Sequence, residues 1–170
     1  IPFRINFKHH SADRSRTHTI LVRTRTLNEH VGFGEGCPRE YVTSETLSGC
    51  LAFLEQHTTD LTDNIHSVSD LATWIDQHEH QIDTNPAAWC AIELSLLDAM
   101  SKDLGQSIEA TLGTPPLSGT FQYTAVLGDN SQTVFAELVT RYVALGFDDF
   151  KVKITGEEKN DSEKLSLVLN

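Results

Sequence analysis

Positive charge is scarce in this chain. Thirteen Lys and Arg residues stand against 24 Asp and Glu, for a net charge of −11 at pH 7. That balance, with no basic stripe, argues against nucleic acid or an anionic membrane as the main partner. Cysteine is scarce too. Cys37, Cys50 and Cys90 are odd in number and widely spaced, which is neither a disulfide framework nor a zinc motif. Cys90 sits in a strongly apolar stretch and is expected to be a buried small hydrophobe. No apolar run approaches the roughly 20 residues that span a bilayer. The opening residues lack a signal-peptide pattern, so a reducing, cytoplasmic setting is expected. The first residue is Ile1 rather than Met, which suggests a missing or processed N-terminus. Repeats and low-complexity segments are absent.

What remains is an ordinary globular composition, 39% hydrophobic and 22% charged over 170 residues. The length suits one domain, or a domain and a fragment. Eight histidines are scattered, with His9-His10 and His78-x-His80 as close pairs. No Cys or carboxylate pattern completes a metal site around either pair.

The organising stretch is residues 148–156. Phe150, Val152 and Ile154 alternate with Lys151 and Lys153, which reads as a short buried strand with both lysines on one face. The lysines would lie roughly 7 Å apart along it. Upstream, Val134, Phe135, Leu138, Val139, Tyr142 and Val143 form a helical stripe stopped by Gly146. An apolar strand over 121–127 precedes that helix, so a parallel βαβ unit is the simplest reading. The lysines then have two readings. One is a solvated strand face. The other is the mouth of a closed parallel barrel, where paired ammonium groups lower one another's pKa and one becomes a base. Spacing alone leans to the first; that parallel sheets are normally covered on both sides raises the second, and both stay open.

From the N-terminus, residues 3–8 alternate like a strand, with Phe3, Ile5 and Phe7 on one face. Residues 8–16 are polar and basic and read as a loop in which Arg14 or Arg16 can grip a carboxylate. Strands over 17–27 and 31–36 follow, joined by a turn at 28–30. Together these predict a three-stranded antiparallel meander. The Gly32-x-Gly34-x-Gly36 segment lacks the third glycine of a dinucleotide loop and reads as close packing or a bulge. Residues 38–42 are a loop. Thr43 or Ser44 would cap a helix running to about Gln56, and 58–67 reads as loop. Ser67 or Ser69 would cap a shorter helix with Leu71, Trp74 and Ile75 inward. Asn85-Pro86 starts a helix, apolar nearly all round, that runs to Leu104 with Glu93 and Asp98 embedded as structural acids. The Gly/Pro cluster at 113–119 separates an α+β domain (1–118) from the start of an α/β domain (119–170), whose next helix would begin at Glu157 with Leu165, Val168 and Leu169 apolar.

Several local patterns, in order, resemble the enolase superfamily, in its muconate lactonizing enzyme-like subgroup. They are Val31-Gly32-Phe33-Gly34-Glu35-Gly36-Cys37-Pro38, Thr43-Ser44-Glu45-Thr46, Ala91-x-Glu93-x-Ser95-x-x-Asp98 (with Ser95 where the family has Ala), Leu112-Gly113, and Gly146-Phe147 followed by Lys151-Val152-Lys153. The resemblance implies an α+β capping domain over 1–118. Residues 119–170 would then be the first two strands and helices of a TIM-like barrel. It implies removal of a proton α to a carboxylate, with Mg²⁺ stabilising the enolate. Lys153 would be the acid/base residue, with Lys151 supporting it. Arg14, Arg16, Tyr41 and Thr124 would contact a small carboxylate substrate, the first three from two capping loops. The metal ligands and the second acid/base residue would lie beyond Asn170, so the 170-residue chain alone is expected to be inactive and to bind no Mg²⁺ there. Dipeptide epimerisation is favoured, with muconate cycloisomerase and o-succinylbenzoate synthase as alternatives. A non-catalytic module that needs a partner to complete the barrel is the contrasting reading. Assembly of identical copies stays open.

Overall fold

Among the described residues, every strand finds a single neighbour. The computed structural model describes residues 1–9 and 12–169, in two compact units: residues 18–118, and residues 1–17 with 119–170. His10 and Ser11, and with them the His9-His10 pair, lie outside the described residues. No helix among the described residues is long and apolar enough to cross a membrane.

In the 18–118 unit, β3 (Ile20–Arg25) pairs antiparallel with β4 (Val31–Gly36) through the expected turn. Ile20 and Val22 point into the core, as the alternation predicts. The helices α1 (Glu40–Thr43), α2 (Leu47–Asn64), α3 (Val68–Thr84), α4 (Pro86–Asp103) and α5 (Ile108–Thr111) follow. The glycines of β4 lie on the backbone of α4. A Cβ at Gly32, Gly34 or Gly36 would meet Ser95 O at 2.2 Å, Ala91 O at 2.0 Å or Ala87 O at 2.0 Å. Glycine every second strand residue therefore faces Ala87, Ala91, Ser95 and Ala99, small residues every fourth helix residue. The close-packing reading holds, and no nucleotide loop forms.

Helix α2 starts later and runs longer than expected. Thr46, not Thr43 or Ser44, is its cap, accepting from Gly49 N at 3.0 Å, and Ser44 adopts φ 61° just before it. The 58–64 stretch is helical rather than loop. Its polarity belongs to a solvated face, and the Thr58 and Thr62 hydroxyls donate to the carbonyls one turn back. Residues 40–43 form one helical turn where a loop was expected. Ser67 caps α3 as predicted, within a reciprocal pair with Asp70. Cys90 is exposed on α4 while Cys50 is the buried cysteine, so α4 is not apolar all round. Asp98 accepts from Phe33 N at 2.9 Å and Lys102 Nζ at 2.7 Å, and these bonds, Lys102 first, hold its carboxyl below the ordinary 3.8. Glu93 is half-buried, and burial pushes its carboxyl up.

Asn85 does not cap α4 with its side chain, which bonds Gln81 O instead. Glu45 replaces it. Only 6% exposed, its carboxylate accepts from Ala87 N (2.9 Å) and Ala88 N (3.1 Å) at the positive end of the helix. Glu45→Ala leaves one buried and one part-buried amide unpaired. It is expected to cost about 3 kcal/mol in a urea unfolding titration.

The other unit contains β1 (Pro2–His9) paired antiparallel with β2 (Ala12–Arg16), so the expected 8–16 loop is mostly strand. The three-stranded meander is not formed among the described residues: β1–β2 and β3–β4 are separate two-stranded sheets. Polar composition hid β2, since hairpin pairing satisfies backbone groups whatever the side chains. In the same unit β5 (Ala125–Leu127) pairs parallel with β6 (Phe150–Val152), with α6 (Gln132–Ala144) between them and α7 (Glu158–Leu169) after. The βαβ reading holds, with shorter strands than predicted. Leu127, Phe135 and Val139 form the core, joined by Leu138, Tyr142, Phe150, Val152, Leu167 and Val168. Val143, Leu165 and Leu169 are exposed rather than inward. Lys164 instead is buried, 1% exposed, ion-paired with Asp129 and over the Phe135 ring.

Helix α6 ends in a Schellman motif. Phe147 N donates to Tyr142 O at 3.0 Å and Gly146 N to Val143 O at 2.9 Å, with Gly146 at φ 86°. The rings of Phe147 and Tyr142 close over it, edge to face at 5.5 Å.

Candidate active site

The β5–β6 pair sorts its side chains onto two faces. Ala125 and Leu127 on β5, with Phe150 and Val152 on β6, turn toward α6 and α7. Their neighbours take the opposite face by alternation. Val126 is register partner to Lys151, Ala125 to Phe150 and Leu127 to Val152. Partners across a parallel pair share a face, so Thr124, Val126, Lys151 and Lys153 belong to one side. Lys153 lies one residue past β6, where its N–H still donates to Leu127 O at 2.9 Å. Lys151 and Thr124 are exposed, and Lys153 is half-buried at the C-terminal end of the strand.

Two features stiffen the end of β6. The Asp161 carboxylate of α7 accepts from Thr155 N (2.9 Å), Thr155 Oγ1 (3.0 Å) and Gly156 N (2.8 Å), pinning the segment after Lys153. These bonds, Thr155 N first, hold the Asp161 carboxyl below its ordinary range. The buried Lys164–Asp129 pair anchors the segment after β5 in the same way. Neither appeared in the sequence reading. A lysine in a polar helix reads as surface, and the carboxylate that would pair with it lies 35 residues away.

Arg14 and Arg16 lie on β2 of the same unit. Arg14 sits over the Phe3 ring at 5.4 Å and donates to Arg16 O at 3.4 Å. Tyr41 lies on α1 of the other unit and is exposed. A cavity of about 380 Å³ in the lysine-bearing unit is lined by Phe3, Phe7, Val126, Gly128, Asn130 and Arg141 among others, but by neither Lys151 nor Lys153. The lysines of the chemistry-bearing face do not themselves line that cavity, although Val126, the register partner of Lys151, does.

What such a face can do is limited and specific. It offers two cations side by side, and the two carboxylates described beside it, Asp161 and Asp129, are engaged by Thr155 and Gly156 and by Lys164. It can stabilise negative charge and exchange a proton at Lys153 Nζ. It does not suit a divalent cation, which the ammonium groups would repel.

No protein-family model matches the chain. It is 28% identical over 164 residues to the L-Lys-D/L-Arg epimerase of Methylococcus capsulatus, covering 96% of this chain and 44% of that protein. Among solved structures, the dipeptide epimerase of Methylococcus capsulatus, complexed with Mg and the dipeptide L-Arg-D-Lys, aligns with a TM-score of 0.84 at 24% identity, over 98% of this chain and 46% of that one. A muconate lactonizing enzyme from Mycobacterium smegmatis, complexed with muconolactone, aligns with a TM-score of 0.82 at 21% identity, over 99% of this chain and 45% of that one. The chain spans less than half the length of the curated relatives it matches.

Proposed function

Because the chain belongs to the enolase superfamily, in its muconate lactonizing enzyme-like branch, we propose that it is the front portion of an enzyme that removes a proton α to a carboxylate. The reaction we favour is dipeptide epimerisation. The observation that carries this reading is the lysine face. Lys151 and Lys153 share one side of a parallel strand pair whose other side is packed by helices.

The residues divide the work by position. Lys153, at the strand's C-terminal end, exchanges the α-proton, where barrels of this kind place their chemistry. Lys151, one step deeper, supplies positive charge toward the developing enolate. Thr124 flanks the pair on the same face and orients the substrate. Arg14, Arg16 and Tyr41 are the proposed contacts for the substrate's charged end and side chain. The solved epimerase carries Mg, but the lysine face has no ligand set for it. Among the described residues, the one group of three His, Cys, Asp or Glu side chains spaced for an ion is in the other unit. In this reading the Mg²⁺ ligands and the second acid/base group would come from sequence outside these 170 residues.

The test is isotope exchange. The full-length protein, incubated with Mg²⁺ and a panel of L,L-dipeptides in D₂O, is expected to place deuterium at one α-carbon and invert it, read by NMR and chiral chromatography. Exchange confined to N-succinyl amino acids moves the substrate class. No exchange with either class rejects the epimerase reading.

A further inference from the structure

Helices α2 and α3 meet through a column of rings. Trp74 stacks on Trp89, centroids 4.8 Å apart at 13°, and on His78, 3.8 Å apart at 9°. His57 meets both Trp74 and His78 edge-on, at 5.5 and 5.8 Å. His57 and Asp60 lie one turn apart on α2, and His78 faces them from α3. One ligand atom from each lies within 4.8 Å of the other two.

The polar pairing inside this cluster is incomplete. His57 is 7% exposed, and its Nε2 is buried with no hydrogen-bond partner. A buried ring nitrogen left unpaired is costly and rare. His78 Nδ1 lies 2.9 Å from the Trp74 carbonyl oxygen. A carbonyl only accepts, so Nδ1 carries the proton. In the neutral ring Nε2 then presents a lone pair toward Asp60 Oδ2, 3.8 Å away. Asp60 Oδ2 in turn accepts from Trp74 Nε1 at 2.6 Å. Helix α3 departs from helical dihedral angles at His78 itself (φ −119°, ψ 17°).

We propose that His57 Nε2, His78 Nε2 and the Asp60 carboxylate form a site for a divalent transition-metal ion, typified by Zn²⁺, that clips α2 to α3. Two imidazole nitrogens, one carboxylate and an open position toward solvent are an ordinary donor set for Zn²⁺. Bonds of about 2.0–2.1 Å place tetrahedral ligands about 3.3 Å apart, so each donor moves inward by less than about 1 Å. The outer partners are already in place: a backbone carbonyl on His78 Nδ1 and an indole N–H on Asp60. Burial, reinforced by His78, holds the His57 imidazole below its ordinary pKa. A proton on His78 Nε2 would pair it with Asp60 but leave His57 Nε2 unpartnered. A metal ion partners all three. The site lies in the 18–118 unit and is independent of the reaction proposed for the lysine face.

Co²⁺ titration of this chain with excess Mg²⁺ present tests the proposal. One equivalent is expected to bind with the visible d–d bands of a low-coordinate N₂O site, and Zn²⁺ is expected to displace it. His78→Gln and Asp60→Asn should each weaken binding by at least about 100-fold, the upper range for disturbing even outer-shell partners. His80→Gln, which alters an exposed neighbour, should leave it unchanged. Circular dichroism reports whether each variant is folded. If His78→Gln does not fold, Asp60→Asn, at a partly exposed position, decides the question. Absence of the bands, or equal binding in Asp60→Asn, overturns the site.

Discussion

Gly34→Val is expected to leave residues 18–118 unfolded without denaturant. A Cβ at Gly34 would lie 2.0 Å from Ala91 O and 2.6 Å from Ser95 N. Carbon and oxygen in favourable contact stay about 3.3 Å apart or more, so strand and helix would have to separate by more than about 1 Å. Neither can yield locally. Ala91 and Ser95 are fully buried, and Gly32 and Gly36 hold the same helix from either side. The cost is at least about 4 kcal/mol, within reach of the whole stability of a domain this size. Gly34→Ala brings the same Cβ clash and is expected to lose most of that stability as well, with the two further methyls of valine adding to the cost. A Gly34→Val protein with a wild-type midpoint by circular dichroism would mean that β4 and α4 do not approach this closely.

Lys153→Ala in the full-length protein is expected to reduce α-deuterium incorporation about 10³-fold, the mid-range for loss of a positioned acid/base group. The fold should survive. The structural bond made by Lys153 is from its backbone N–H to Leu127 O, which alanine keeps. Lys151→Ala should also slow exchange, while leaving the pH profile of the residual rate set by Lys153. That difference separates the base from its neighbour. An unchanged exchange rate in Lys153→Ala would remove this lysine from the chemistry and return it to a solvated strand face.

Much of the architecture is written in local pattern. The alternation in 20–25 and 31–36, the Ser67 cap, the Pro86 helix start and the Gly146 stop are one-dimensional signals, and each stands in the structure. The misreadings share a cause: a partner distant in sequence. Asn85-Pro86 reads as a self-contained helix start, yet the capping carboxylate comes from Glu45. Lys164 reads as surface until Asp129 is placed beside it. Residues 58–64 look like loop because only Leu61 among them reaches the core. The lysine face was legible because strand alternation is enough to place it. The His57–Asp60–His78 group was not. Its ligand atoms come from two different helices, which the local His78-x-His80 spacing does not reveal.

The turn at Gly146 has a consequence for the lysines. Between Gly146 and β6 lie only Phe147, Asp148 and Asp149. The motif thus sets the phase in which the chain enters the strand. Inserting or deleting one residue there, with pairing to β5 kept, would turn Phe150 and Val152 to the open face and bury Lys151 and Lys153 against α6 and α7. The distance from a helix's last turn to a strand's first residue therefore acts as a parity setting. An odd change in its length would erase the site without altering any residue of it, and an even change would preserve the site's facing.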